Sequence, residues 1–96
     1  DYETAALLLL LQQDMLAYLD EAAAEPTVVL GAGITPAWLP QPMAVSNLAL
    51  PGGSITWQWD GQKMRVTLRG PVRKIQLGSA FPPGTELAVV QKPLRP

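Results

Sequence analysis

The sequence predicts a mainly β fold: a small antiparallel β-sandwich of about six strands preceded by one N-terminal α-helix. Three observations carry that reading. All eight glycines and all ten prolines lie between residues 26 and 96. Residues 2–24 contain neither type and are rich in Ala, Leu, Gln and Glu, which favour helix. Beyond Pro26, short β-branched or apolar runs recur between turn residues, as strands of a sandwich do. A chain of 96 residues supports one core. Residues 1–25 are therefore read as a helix packing on the sheet and residues 26–96 as the sandwich of a single domain.

The helix is expected over Tyr2 to Ala24, stopping at Glu25 because the residue before a proline disfavours helical geometry. At 100° per residue, Thr4, Leu7, Leu8, Leu11, Met15, Tyr18, Leu19 and Ala22 share one arc, which is the face expected on the core. Leu9, Leu10 and Leu16 fall off that arc. They predict a second apolar contact, either with a neighbouring domain or with another copy of the chain through residues 5–19. The apolar run Ala5 to Leu11 is far shorter than the ~20 residues that span a membrane. Its flank, Asp1 and Glu3, lacks the basic residues that precede a secretory signal's apolar stretch.

Strands are expected near Thr27 to Leu30, Met43 to Leu48, Ser54 to Trp59, Gln62 to Arg69, Val72 to Leu77 and Glu86 to Gln91. Between the first two, Thr35 and Pro36 form a cap and first-turn pair, so Pro36 to Leu39 is read as one helical turn. Asp60-Gly61 reads as a two-residue type I′ hairpin loop. Pairing Trp59 with Gln62 then sets Trp57 opposite Met64 and Ile55 opposite Val66. Those side chains and Leu68 share one face, and Thr56, Gln58, Lys63, Arg65, Thr67 and Arg69 occupy the other.

Composition narrows the chemistry. The chain has no His and no Cys, which removes the side chain that titrates near neutrality, the thiolate nucleophile, disulfides and most transition-metal sites. No cofactor and no metal site is expected. Glycoside hydrolysis needs two carboxylates ~5 to 9.5 Å apart across a cleft. The acids do not suggest such a pair: Asp14, Asp20, Glu21 and Glu25 belong to the helix or its end, Asp60 to a turn, and Glu86 to a strand start. No catalytic residue is assigned.

Charge is uneven. Residues 1–59 carry six acids and no base, and residues 60–96 carry all seven bases and two acids, so the halves sum to −6 and +5. Lys63, Arg65 and Arg69 line the outward face, with Arg73 and Lys74 on the following strand. As a nucleic-acid footprint this is thin, because the aromatic residues lie on the other face, and no nucleic-acid partner is expected. Gly31-Ala32-Gly33 lacks the spacing of a phosphate loop and reads as a bend. Trp57 and Trp59, two residues apart, project from one face as a sugar-stacking platform would. Their apolar neighbours argue instead for core, with Trp59, beside the turn, the more exposed of the two.

The segment Val29-Leu30-Gly31-Ala32-Gly33-Ile34-Thr35-Pro36-Ala37-Trp38-Leu39 resembles the C-terminal β-sandwich region of six-hairpin, (α/α)6-barrel glycosidases, most like the α-L-rhamnosidase group. Val45-Ser46-Asn47-Leu48, Pro51-Gly52-Gly53-Ser54-Ile55, Trp57 to Leu68 and Pro82-Pro83-Gly84 extend the resemblance over almost the whole chain. Gly52-Gly53 departs from it, since such domains often carry an aromatic residue or Tyr-Gly there. The resemblance implies a last barrel helix at residues 2–24 whose orphaned contacts are Leu9, Leu10 and Leu16, with an (α/α)6 catalytic domain as partner. Because the catalytic acids of those enzymes belong to the barrel, none transfers to this chain.

The expected function is a non-catalytic accessory domain of a carbohydrate-active enzyme. The alternatives are a small carbohydrate-binding module using Trp59 and Trp57, and a protein-interaction domain using the N-terminal helix.

Overall fold

The computed structural model describes residues 13–94. Within them the chain forms a helical turn at Gln13–Leu16 and then β1 (Ala17–Asp20), β2 (Thr27–Leu30), a 3₁₀ turn at Pro36–Trp38, β3 (Met43–Leu50), β4 (Gly53–Trp59), β5 (Lys63–Arg69), β6 (Lys74–Leu77) and β7 (Glu86–Lys92). The strands make two sheets. One is ordered β1-β2-β6 and the other β3-β4-β5-β7. Val28 and Leu30 of the first sheet and Ile55, Trp57, Met64, Val66 and Leu68 of the second share one core, with Ala17, Ile34 and Phe81 at its margins. The mainly β, sandwich-like architecture is the one the sequence predicts.

The helix expected from Tyr2 to Ala24 is not what residues 13–24 form. Only Gln13–Leu16 is helical, and Ala17–Asp20 is a strand antiparallel to β2. The physical reason is pairing. Val28 and Leu30 are completely buried in a strand that needs a neighbour on each edge, and joining β2 gives residues 17–20 hydrogen bonds and burial that outweigh the small propensity of Ala and Leu for helix. The alternation fits: Ala17 and Leu19 face the core, and Tyr18 faces out. The chain then turns through residues 21–25, where Asp20 Oδ1 accepts the Ala22 N–H at 3.0 Å.

The expectation of an antiparallel sandwich also needs correction. β1 with β2, β3 with β4 and β4 with β5 are antiparallel, but β2 with β6 and β5 with β7 are parallel. After β5 the chain crosses into the first sheet to form β6 and returns as β7. Two reversals leave β7 running the same way as β5, so a parallel pair follows from the crossover.

The β4–β5 hairpin pairs Trp59 with Met64, Trp57 with Val66 and Ile55 with Leu68, two residues away from the expected register. Asp60 does not adopt a positive φ. It keeps extended pairing, its N–H donating to Lys63 O at 3.2 Å, while Oδ1 accepts the Gln62 and Lys63 N–H groups at 2.8 Å each. Gly61, with φ 102°, supplies the reversal. A carboxylate that captures two backbone donors is worth more here than Asp forced into left-handed geometry. Because the shift is two residues, every side chain keeps the face expected of it.

β3 shows why its sequence changes phase. Met43 and Val45 pair with Trp59 and Trp57, but Leu48 and Leu50 pair with Ile55 and Gly53, so one extra residue separates the two halves. A β-bulge absorbs it: Asn47 sits at φ 52° and donates its N–H to Thr56 Oγ1 at 2.9 Å. Both halves thus face the core. Further along, a Cβ at Gly53 would meet the Arg69 carbonyl, so the start of β4 requires glycine.

Asn47→Gly is expected to keep the stability from urea denaturation within about 0.5 kcal/mol of the parent, whereas Asn47→Val should cost about 1–2 kcal/mol by forcing a β-branched residue to positive φ. Equal stabilities for the two variants would show that residue 47 does not hold this conformation in solution.

Candidate functional site

The sequence singles out two sets of residues, and the structure treats them differently. Trp57 and Trp59 are buried, at 0% and 3% exposure. With so little of either ring exposed, neither offers a face for a sugar to stack on, and Trp59 is the less buried of the two. The reason lies in the indole nitrogens. Each ring lies over the core and spends its N–H on a backbone carbonyl of a distant segment: Trp57 Nε1 donates to Leu16 O at 3.1 Å, and Trp59 Nε1 donates to Leu39 O at 2.8 Å. Phe81 closes on Trp59 edge to face, with ring centroids 5.0 Å apart.

Of the expected interaction surface, Leu9 and Leu10 lie outside the described residues. Leu16 does not point away from the domain. It packs against the core, and its carbonyl oxygen receives both Trp57 Nε1 and the Gly31 N–H, the latter at 2.8 Å. Met15 and Tyr18, placed by helical periodicity on the buried arc, are among the exposed large apolar residues; Tyr18 faces out because a strand beginning at Ala17 alternates where a helix would not.

Gly31-Ala32-Gly33 is a bend, as expected. Gly31 takes φ 66°, and the Gly33 N–H reaches Met15 O at 2.9 Å, so its donors point back to the entering chain. Thr35 precedes the 3₁₀ turn without a side-chain capping bond; its carbonyl accepts the Trp38 N–H at 3.0 Å. Trp38 is the exposed tryptophan, at 37%, and was legible only as the residue of the three that sits in a turn and not a strand.

The outward face of the larger sheet is polar as predicted: Thr56 and Gln58 of β4 lie beside Thr67 and Arg65 of β5, and Lys63 lies beside Glu86 of β7. The basic strip is divided, because Arg73 donates to Pro51 O and Lys74 belongs to the other sheet. A shallow depression beside the hairpin brings together Gln58, Asp60, Lys63 and Arg65 at the edge of Trp59. Its one carboxylate is already committed. The two backbone N–H groups on Asp60 hold its carboxyl below the usual 3.8, with nearby Lys63 and Arg65 adding to the effect. Among the described residues no three His, Cys, Asp or Glu side chains group as metal ligands would, and no helix is long and apolar enough to cross a membrane.

Comparison of the chain with protein-family models, curated proteins and solved structures finds no match.

Replacing Trp57 by Phe removes the indole donor and leaves space beside Leu16, and should cost about 2 kcal/mol in urea denaturation. An unchanged midpoint would mean that the bond to Leu16 does not hold the entering strand.

For Asp60 the sign follows from its lowered pKa. The folded state favours the carboxylate, so the contribution is fully present above about pH 4 and is lost as pH falls through the folded value. Asp60→Asn should therefore be less stable than the parent at neutral pH, with the difference closing as the solution is acidified below about pH 4. A constant difference across that range would show that the charge on Asp60 is not involved.

Proposed function

We propose that this chain is a non-catalytic accessory β-sandwich domain of a carbohydrate-active enzyme, one that supports or covers a catalytic (α/α)6 domain. The resemblance quoted above motivates the enzyme class. The observation that carries the supporting role is the hydrogen bond from Trp57 Nε1 to Leu16 O, 41 residues apart in sequence. It fixes the entering chain to the centre of the sandwich. A domain that holds a neighbour at a constant angle needs such a joint, and a flexible Gly/Ser linker would not supply one. The Trp59 bond to Leu39 anchors the end of the segment most like the barrel-to-sandwich passage.

A carbohydrate-binding module built on Trp57 and Trp59 is less favoured, because stacking needs rings that are wet before the ligand arrives. The purified chain is expected to release no aglycone from a panel of aryl glycosides, α-L-rhamnosides included, beyond a buffer blank. Turnover would overturn the proposal. In the joined protein, Trp57→Phe should lower the thermal midpoint of the catalytic domain together with that of the sandwich; a catalytic domain that melts unchanged would count against the supporting role.

A further inference from the structure

We propose that the outer edge of β7 is a docking surface for a second copy of this chain, the two β7 strands pairing antiparallel about a two-fold axis at Val89. The two sheets have four edges. β1 and β6 are four residues each, and β3 is broken by the bulge at Asn47, all devices that discourage pairing between molecules. β7 has none of these. It is seven residues long, runs without a break beside β5, and exposes Val89 and Val90 at 44% and 50%. Among the described residues nothing pairs with its other side.

The orientation of its backbone is readable. Gly70 N–H donates to Lys92 O at 3.1 Å, so the even-numbered residues of β7 turn their peptide groups toward β5. Leu87, Val89 and Gln91 then turn theirs to the free edge. Centring the axis on Val89 sets Val89 against its own copy and Leu87 against Gln91 of the second copy, each as a reciprocal hydrogen-bonded pair. The run is bounded on both sides. Pro93 has no N–H to offer, and the Thr85 N–H is already given to Pro82 O at 3.2 Å.

Charge selects this register. Glu86 of one copy falls opposite Lys92 of the other at both ends of the strand. Within a single chain the β5 neighbour of Lys92 is Arg69, a like-charged juxtaposition that costs stability. The second copy brings Glu86 to that position, so the association relieves a repulsion the monomer carries. An isologous contact of this kind closes on itself and does not propagate into fibres. Its small area makes it a weak dimer, sensitive to salt.

The test is sedimentation equilibrium of the full chain over a wide concentration range, at low and high salt. A monomer–dimer equilibrium is expected, weakened by salt. Glu86→Lys alone and Lys92→Glu alone should each raise the dissociation constant about tenfold, because every dimer contains the pair twice, and the double variant should recover most of the loss. Val89→Pro should abolish the dimer while sparing the β5 ladder, since that N–H faces outward. A chain that stays monomeric at millimolar concentration overturns the proposal. So does a dimer indifferent to both the charge exchange and Val89→Pro, and the two charge variants decide the matter even if the proline variant fails to fold.

Discussion

One oxygen atom ties the molecule together. The carbonyl of Leu16 receives the Gly31 N–H from the end of β2 and the Trp57 indole N–H from the middle of β4, so two donors from two different sheets meet on a single acceptor. Sandwich layers are otherwise joined by apolar contact, which is strong but carries little directional information. A carbonyl with both lone pairs occupied adds direction. It fixes how far the helical turn at Gln13–Leu16 stands from the larger sheet, and with it where β1 must begin.

The same logic governs the tryptophans. An indole nitrogen buried without a partner costs about 1–3 kcal/mol, so a core that hides two of them must bring a carbonyl to each. Leu16 and Leu39 are those carbonyls, and both lie in segments that have no strand partner of their own at that point. The rings thereby convert two irregular stretches of chain into fixed parts of the domain. No buried side-chain nitrogen or oxygen among the described residues is left without a hydrogen bond.

Much of this was readable from the residues because it rests on alternation. The six expected strands all occur, and the inward set Ile55, Trp57, Met64, Val66 and Leu68 is the observed one even though the hairpin register differs by two. An even error leaves the faces intact, which is why the core was legible while the turn was not. The Asp60 side chain competes with the backbone for the same donors, and local spacing does not show which of them wins. Residues 17–20 were misread for a complementary reason: Ala-Tyr-Leu-Asp fits a helical arc and a strand equally well, and the deciding term was a distant partner, β2. The bulge did leave a trace, in the step from Met43 and Val45 to Leu48 and Leu50 with Asn47 between them. The interior hydrogen bonds of the two indoles left none, since nothing in a sequence marks which carbonyl will lie within reach of a ring.

The crossover that places β6 beside β2 also governs how the molecule is made. The β4–β5 hairpin closes over a few residues, and such hairpins form in about 1–10 μs. The smaller sheet has that shortcut on one side only: β1 and β2 are joined by a short turn, but the other edge of β2 needs β6, where Leu30 pairs with Leu77. During synthesis at about 5–20 residues per second, β2 waits roughly 2 to 9 s for that partner to be added. For that interval Val28 and Leu30 belong to a nascent chain with a complete hairpin and an unfinished layer. The smaller sheet is therefore the part of this protein most in need of protection while it is being born, although in the finished fold its central strand is among the best hidden.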